Sequence, residues 1–198
     1  MSIFGTMRVF AALNVEVTGL RRVLGAVDLL RANPLAPHAR WVAPTKLHVT
    51  LKFFGEIDAG LAPALRDTLA AVTRERRAPR VAFSGFSAFP SPEKARVVFT
   101  EVEDMGQETR GLSDAIQSGV EALGFPPETR AFHPHLTVAR TSEPTDSRTW
   151  LSAATPWRVV AICPELALYR SDTVRPGAEY EALARFALLP RKSSKKGS

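Results

Sequence analysis

The sequence has few of the features that mark secreted, membrane-spanning or nucleotide-binding proteins. It contains one cysteine, Cys163, which cannot form a disulfide within the chain and therefore fits a reducing compartment. No run of roughly 18 apolar residues occurs, so no membrane span is expected. Residues 1–8 carry no basic segment ahead of a sustained apolar stretch, so no secretory signal is expected either. These absences predict a cytoplasmic protein.

Glycine-rich phosphate-binding loops are also absent. Gly55, Gly85 and Gly124 are interpreted as the ends of strands or helices, because no Walker or dinucleotide-binding fingerprint surrounds them. The 198 residues are 45% hydrophobic and 23% charged, which is the balance of a folded domain and not of a long disordered chain. A chain of this length suits one domain or two small lobes.

The net charge of +6 is unevenly distributed along the chain. Residues 191–198 hold four basic and no acidic residues, so residues 1–190 hold 22 basic and 20 acidic residues and a net charge of only +2. A polar segment without apolar anchors buries too little surface to fold. We therefore predict one folded domain at 1–190 and a disordered basic tail at 191–198. The tail either solubilises the protein or contacts phosphates nonspecifically, so charge alone identifies no partner.

The spacing of apolar residues predicts a mixture of strands and helices. Predicted strands cover residues 8–13, 46–54, 80–89, 95–102, 134–140, 158–169 and 179–189. Predicted helices cover residues 17–32, 60–76, 104–123 and 145–153. Gly55 is expected to end the second strand. The alternation indicates an α+β protein.

The same order of elements occurs twice in the chain. A strand at 8–10 leads through a helix and a proline-rich loop to the sequence His-Val-Thr-Leu at 48–51. A strand at 97–99 leads in the same way to His-Leu-Thr-Val at 135–138. The distance from the start of the strand to the histidine is 40 residues in the first copy and 38 in the second. This internal repeat predicts two similar lobes, each supplying one strand to a shared cleft.

Each His-x-Thr motif places two polar groups on one face of a strand. Side chains alternate across a strand, so His48 and Thr50 point to the same side, and so do His135 and Thr137. The aliphatic residues between and after them point to the other side, toward a core. If the two strands are neighbours, two imidazoles and two hydroxyls converge in one groove.

That set of groups suits the cleavage of a phosphodiester. One histidine can be neutral and the other protonated near pH 7, so the pair can act as base and acid on opposite sides of a reacting centre. Threonine hydroxyls can donate hydrogen bonds to the phosphoryl oxygens that gain charge in the transition state. A 2′,3′-cyclic phosphate is an especially suitable substrate because its five-membered ring is strained. No metal is required by this scheme.

Three further residues near the motifs are candidates for substrate contacts. Strict alternation places Arg140 on the face opposite the second motif, so it either lies past the end of the strand or forms a surface salt bridge. Alternation places Lys52 on the same face of the strand as His48. Lys52 either lines a groove that binds phosphate or lies at a solvent-exposed strand end. Phe53 stacks on a base or packs in the core.

A metal site is the main alternative for the histidines. His133 and His135 have a metal-ligand spacing, and His48 could complete a three-histidine zinc site. No carboxylate lies beside either motif to orient a ligand histidine, and such a site leaves the paired threonines unexplained. We therefore predict no metal and no other cofactor.

Several segments around the motifs carry a family resemblance. They are residues 8–13, 41–42, 47–56, 86–90, 96–98, 132–140, 166–171 and 180. Through these segments, nearly the whole chain resembles the 2H phosphoesterase superfamily. Within that superfamily it resembles the RNA 2′,3′-cyclic phosphodiesterases, which are also called 2′-5′ RNA ligases or LigT-like proteins.

The resemblance implies a fold, a reaction and a role for each motif residue. The fold is a duplicated, two-lobed α+β structure with antiparallel sheets facing a central cleft and helices outside. The reaction is hydrolysis of 2′,3′-cyclic phosphodiester ends of RNA to 2′-phosphomonoesters. In it, His48 is the proton donor to the leaving 3′ oxygen and His135 is the proton acceptor from water. Thr50 and Thr137 hold the phosphoryl oxygens, and Arg140 lies near the phosphate.

Other functions remain open at this point. A related enzyme of the same superfamily could act on ADP-ribose cyclic phosphate, or hydrolyse or join 2′-5′ oligonucleotides. A noncatalytic module could bind RNA ends in the same cleft. The expected partner in the main hypothesis is an RNA or oligonucleotide with a cyclic phosphate end, with no membrane and no obligate protein partner.

Overall fold

The computed structural model describes residues 5–36, 39–154, 156–174 and 177–191, and within them it contains nine strands and four α-helices. The strands are β1 (Thr6–Asn14), β2 (Arg40–Trp41), β3 (Val49–Asp58), β4 (Arg80–Phe89), β5 (Ala95–Asp104), β6 (His135–Thr145), β7 (Arg158–Ile162), β8 (Glu165–Val174) and β9 (Gly177–Ala187). The helices are α1 (Val17–Arg31), α2 (Ala62–Thr73), α3 (Glu108–Glu121) and α4 (Arg148–Ser152). Of the predicted tail, only residue 191 lies inside the described residues. None of the helices in these ranges has the length and hydropathy needed to cross a bilayer.

The strands form one curled antiparallel sheet, and the predicted α+β class is confirmed. The strand order is β7-β4-β5-β6-β3-β1-β8-β9, with the short β2 beside β6. This order is symmetric about the central pair of β3 and β6, because β1 and β5 flank that pair and β8 and β4 follow. The two copies of the sequence repeat therefore form the two halves of the sheet.

The helices connect the two halves of the sheet. Helix α1 belongs to the first repeat but packs against β7 in the second half, and α3 belongs to the second repeat but packs against β3 as well as β5. Helix α2 packs against β9 and α3. Helices of each repeat thus pack against strands of the other half of the sheet. This packing supports the single domain predicted at 1–190, and that assignment stays a prediction.

Alternating residues of the central strands build the core. In β1, Val9, Ala11 and Leu13 join the main apolar cluster, while Phe10 lies on the other face. Phe10 is only 3% exposed because aromatic rings of β3, β8 and β9 cover it. The sheet therefore has an aliphatic face toward the core and an aromatic floor on the side that carries the motifs.

Two predictions about strand ends are wrong. Gly55 and Gly85 lie inside β3 and β4, with φ angles of +75° and +53°. Both occur where the ladder to the neighbouring strand shifts register, and glycine adopts the left-handed backbone of such a bulge without steric cost. The strand predicted at 158–169 is instead divided into β7 and β8 at Pro164. These two strands lie in opposite halves of the sheet, because β7 pairs with β4 and β8 pairs with β1.

Candidate active site

The two His-x-Thr motifs meet at the centre of the sheet. Val49 of β3 pairs with Leu136 of β6 in antiparallel register, and both side chains are fully buried. Extending this register by one residue on each side gives two cross-strand pairs of polar residues: His48 with Thr137, and Thr50 with His135. The aliphatic residues of the motifs thus anchor the crossing, and each imidazole lies beside the hydroxyl of the other motif.

A cleft of about 370 Å³ opens over this crossing. Six of the predicted site residues line it: His48, Thr50, Phe53, His135, Thr137 and Arg140. Lys52 does not line this cleft but lines an adjoining cavity. The structure therefore brings together residues that lie up to 92 positions apart in the sequence, from 48 to 140.

The ring of His48 is held by one hydrogen bond and by aromatic contacts. Its Nδ1 lies 2.7 Å from the backbone oxygen of Lys46, so Nδ1 carries a proton and donates to that oxygen. The ring stacks on Phe10, with 4.9 Å between ring centroids, and Tyr180 approaches edge-on at 5.4 Å. These contacts hold the ring in place and leave Nε2 as the nitrogen available to a ligand.

His135 is held in the same way in the second half. Its Nδ1 lies 2.8 Å from the backbone oxygen of His133, and the rings of Phe89 and Phe99 lie 5.0 and 5.3 Å away. In each half, the motif histidine donates Nδ1–H to the carbonyl two residues before it. The duplication therefore extends to the tautomer of the histidine.

Burial lowers the pKa of both histidines. For His48 the pKa falls to about 4, against the weaker opposing effect of its bond to the Lys46 carbonyl, and the charges of His135 and Arg140 act in the same direction as burial. Burial also lowers the pKa of His135, opposed by its bond to the His133 carbonyl. Both imidazoles are therefore neutral near pH 7 when the cleft is empty, with Nε2 able to accept a proton. A bound anion would raise both pKa values by favouring the imidazolium forms.

Four further groups in the cleft can donate hydrogen bonds to a ligand. The hydroxyls of Thr50 and Thr137 form no side-chain hydrogen bond with any residue in the described ranges, and the guanidinium groups of Arg8 and Arg140 form no ion pair there. Unpaired cationic and hydroxyl donors beside neutral imidazoles make a site suited to an anion. Chemically, the cleft can hold a phosphate and move protons on either side of it.

Arg140 reaches the cleft because β6 contains a bulge. The ladder with β5 shifts between Val98 and Phe99, which leaves Val138 as an extra residue in β6. As a result, two consecutive side chains, Val138 and Ala139, are buried. The bulge reverses the alternation, so Arg140 lies on the motif face and not on the opposite face that strict alternation predicted.

A similar irregularity in β3 places Phe53 in the cleft and directs Lys52 away from it. The ladder between β3 and β1 shifts twice along this stretch, and Phe53 lies on the cleft side with 65% of its surface exposed. The Nζ of Lys52 donates to Oε1 of Gln117 over 2.5 Å, on the side of α3. Burial lowers the pKa of Lys52.

Among the cleft residues that sequence reasoning missed are Arg8 and Tyr180. Arg8 shares a face of β1 with Phe10, two residues later, so alternation within the repeat could have found it. Tyr180 comes from β9, which reaches the cleft only because β8 pairs with β1. No local pattern in the sequence carries that information.

The alternative three-histidine metal site is not assembled. Nε2 of His133 lies within hydrogen-bond distance of Oε2 of Glu101, at 3.1 Å, and His133 does not line the cleft. Within the described residues, no group of three or more His, Cys, Asp or Glu side chains is arranged to hold a metal ion.

Comparison with known proteins identifies relatives over most of the chain. Residues 14–175 match the family described as the 2′-5′ RNA ligase superfamily. A Thermus thermophilus protein named RNA 2′,3′-cyclic phosphodiesterase is 32% identical over 161 residues, which cover 77% of this chain and 78% of that protein. An Aeropyrum pernix protein of the same name is 36% identical over 99 residues, half of this chain. The match spans 55% of the Aeropyrum protein, so the chain covers about half of that relative's length.

Solved structures show the same fold. The crystal structure of a Thermus thermophilus protein superposes with a TM-score of 0.76 at 26% identity, covering 92% of this chain and 98% of that one. Escherichia coli LigT complexed with 3′-AMP superposes with a TM-score of 0.69 at 25% identity over the same shares.

Proposed function

This chain belongs to the 2′-5′ RNA ligase superfamily, and we propose that it hydrolyses 2′,3′-cyclic phosphodiester ends of RNA to 2′-phosphomonoesters without a metal. The name shared by its relatives supports the activity. The observation that carries the proposal is the crossing of the two His-x-Thr strands at Val49 and Leu136. That crossing puts two Nδ1-protonated imidazoles and two threonine hydroxyls around one small cleft.

The phosphate enters a cleft that holds neutral histidines and cationic donors. Its non-bridging oxygens accept hydrogen bonds from Thr50 and Thr137, and Arg140 offsets the negative charge. The bound anion raises the pKa of both histidines, which burial holds low in the empty cleft. The substrate therefore helps to protonate the imidazole that acts as the acid.

The reaction then moves one proton on each side of phosphorus. Nε2 of His135 takes a proton from water while the water oxygen forms a bond to phosphorus. The bond from phosphorus to the 3′ oxygen breaks, and Nε2–H of His48 gives its proton to that oxygen. The products are a 2′-phosphomonoester and a 3′ hydroxyl. His135 then loses a proton to solvent and His48 regains one, which restores the starting state.

The primary test follows one cyclic mononucleotide by phosphorus NMR in the presence of EDTA. We expect a single 2′-phosphomonoester product, and loss of about 10²–10⁴-fold in kcat for His48→Ala and for His135→Ala. Arg21→Gln is the control, because Arg21 is exposed on α1 and lines neither this cleft nor the cavity beside it. Near-full activity in either motif variant, or a requirement for added metal, would overturn the mechanism.

A modified substrate separates the acid from the base. A cyclic phosphorothiolate with sulfur in place of the 3′ oxygen has a leaving group that needs no proton. Loss of the acid should then matter little, so His48→Ala should recover most of its activity and His135→Ala should not. Recovery of the His135 variant instead would reverse the two roles.

The same assay decides between the proposal and its alternatives. Turnover of ADP-ribose cyclic phosphate or of 2′-5′-linked oligonucleotides, but not of a 2′,3′-cyclic end, would assign a related activity to this cleft. Tight binding of RNA ends without any product would assign a noncatalytic role.

A further inference from the structure

A second cavity of about 810 Å³ adjoins the cleft on the side of α3. The two cavities share five lining residues: Thr50, Phe53, Phe89, Val97 and His135. Two of these five belong to the motifs, so the second cavity opens directly onto the proposed position of the phosphate. A molecule bound in the cleft can extend into it without leaving the protein surface.

The second cavity is rich in positive charge. Its cationic lining consists of Lys52, Arg96, Arg110 and Arg130, and its acidic lining consists of Asp114 and Glu128. Within the described ranges, none of the three guanidinium groups forms an ion pair, and Arg96 has only a 3.4 Å contact to the backbone oxygen of Ser142. Three guanidinium groups are therefore available to anionic groups of a ligand.

On the other side of the cleft, next to the hairpin of β8 and β9, cations are paired with carboxylates. There the ammonium group of Lys46 lies 2.6 Å from the carboxylate of Glu179. On the same hairpin, the guanidinium of Arg170 contacts Asp172 and Glu181 at 2.8 and 3.2 Å. Lys46 and Arg170 are already compensated. Arg8 of β1 also lies on this side of the cleft without an ion pair to the described residues, but the second cavity offers three such guanidinium groups, so a polyanion gains more there.

Aromatic surface accompanies the charge. Phe53 lies where the two cavities meet and is 65% exposed. Phe132, two residues after Arg130, lines the second cavity and is partly buried against the core. Aromatic rings next to arginines are the combination that binds single-stranded nucleic acids, with bases stacked on rings and phosphates against cations.

We propose that the second cavity binds the RNA strand on the 5′ side of the cyclic end. A cleft of 370 Å³ lies near the lower limit of small-molecule sites, so it has room for the terminal nucleotide and little more. Because the cyclic phosphate occupies the 3′ end, the chain continues only toward its 5′ end and must leave the cleft. The proposal rests on the proposed function, and it makes Arg96, Arg110 and Arg130 contacts for upstream phosphates.

The test compares a 2′,3′-cyclic mononucleotide with a short oligoribonucleotide that has the same cyclic end. We expect the wild-type protein to have a higher kcat/KM for the oligonucleotide. In the variant carrying Arg96→Gln, Arg110→Gln and Arg130→Gln, the ratio of the two kcat/KM values should fall by ten- to a hundredfold. Arg21→Gln is the control, because Arg21 is exposed on α1 and lines neither cavity; it should leave the ratio as in wild type.

A binding arm keeps this result separate from catalysis. Fluorescence anisotropy measures the Kd of an oligoribonucleotide that ends in a 2′-phosphate at several salt concentrations. The slope of log Kd against log salt concentration should be smaller by about 2 in the triple variant than in wild type. That value follows from three lost phosphate contacts at about 0.7 each for a single strand. Equal binding and an unchanged ratio in the triple variant would overturn the proposal. Weaker binding by the triple variant, with no turnover by any form, would overturn the proposed function and leave this RNA site standing.

Discussion

The low pKa of His48 predicts a specific dependence of stability on pH. The pKa is about 4 in the folded protein, against 6.5 for the free side chain, chiefly because the ring is buried. Between these two values, the unfolded chain binds a proton that the folded chain does not bind. The free energy of unfolding must therefore fall as pH decreases from about 6.5 to about 4, and this contribution is constant above that window.

The size of the effect follows from the two pKa values. A difference of about 2.5 pH units is worth about 3 kcal/mol once the pH is below both values, at about 1.4 kcal/mol for each unit. At pH 5, linkage gives about 2 kcal/mol of this loss. Total stabilities of domains are typically about 5–15 kcal/mol, so the effect is large enough to measure.

The assay is urea unfolding of the wild type and of His48→Gln between pH 5 and pH 7.5. The substitution removes the ring that stacks on Phe10, which lowers stability by a constant amount at every pH. The informative quantity is the change with pH: wild type should lose about 2 kcal/mol more than the variant between pH 7 and pH 5. An NMR titration of the ring should give the same low pKa directly. Parallel stability curves, or a midpoint near 6.5, would refute the argument from burial.

Three further predictions concern the hydroxyls, the arginine and the bulge. Thr50→Val and Thr137→Val should each lower kcat by about 10²–10³-fold on a cyclic mononucleotide. Thr145→Val is the control and should not, because Thr145 lies on the same strand as Thr137 but outside the cleft. If all three variants react at the wild-type rate, the hydroxyls take no part in the reaction. Arg140→Gln should raise the pKa of both motif histidines in NMR titrations, because its charge lowers them; unchanged midpoints would contradict that. Gly55→Ala should lower stability by about 1 kcal/mol in thermal unfolding because φ is +75°, and an unchanged Tm would show that the bulge relaxes.

Much of the motif geometry could be predicted from local pattern. Strand alternation places His48 with Thr50 and His135 with Thr137, because the period of two is a property of the extended backbone. The matched order of elements predicted that the two copies occupy equivalent places, and the symmetric sheet order agrees. The sequence alone could not predict that the two strands would pair, since pairing depends on contacts far apart in the chain.

Alternation failed where the ladder is irregular. Bulges in β3 and β6 reverse the face on which Phe53 and Arg140 lie, and nothing in the local composition marks the extra residue at Val138. Gly55 is the partial exception, because a glycine inside a strand pattern is a known sign of a bulge. The same residue type also ends strands, so the sequence does not distinguish a bulge from a strand end at Gly55.

The sequence by itself determined which chemical groups the strands present and that they are present twice, because side-chain parity and repetition are local properties of the chain. Only the tertiary structure decided that the imidazoles lie across one cleft, that their pKa values are low, and that Arg8, Arg140 and Tyr180 join them. Burial, electrostatic proximity and ladder register arise when distant segments pack together. The second, basic cavity belongs to this group as well, since its arginines come from β5, α3 and the segment before β6.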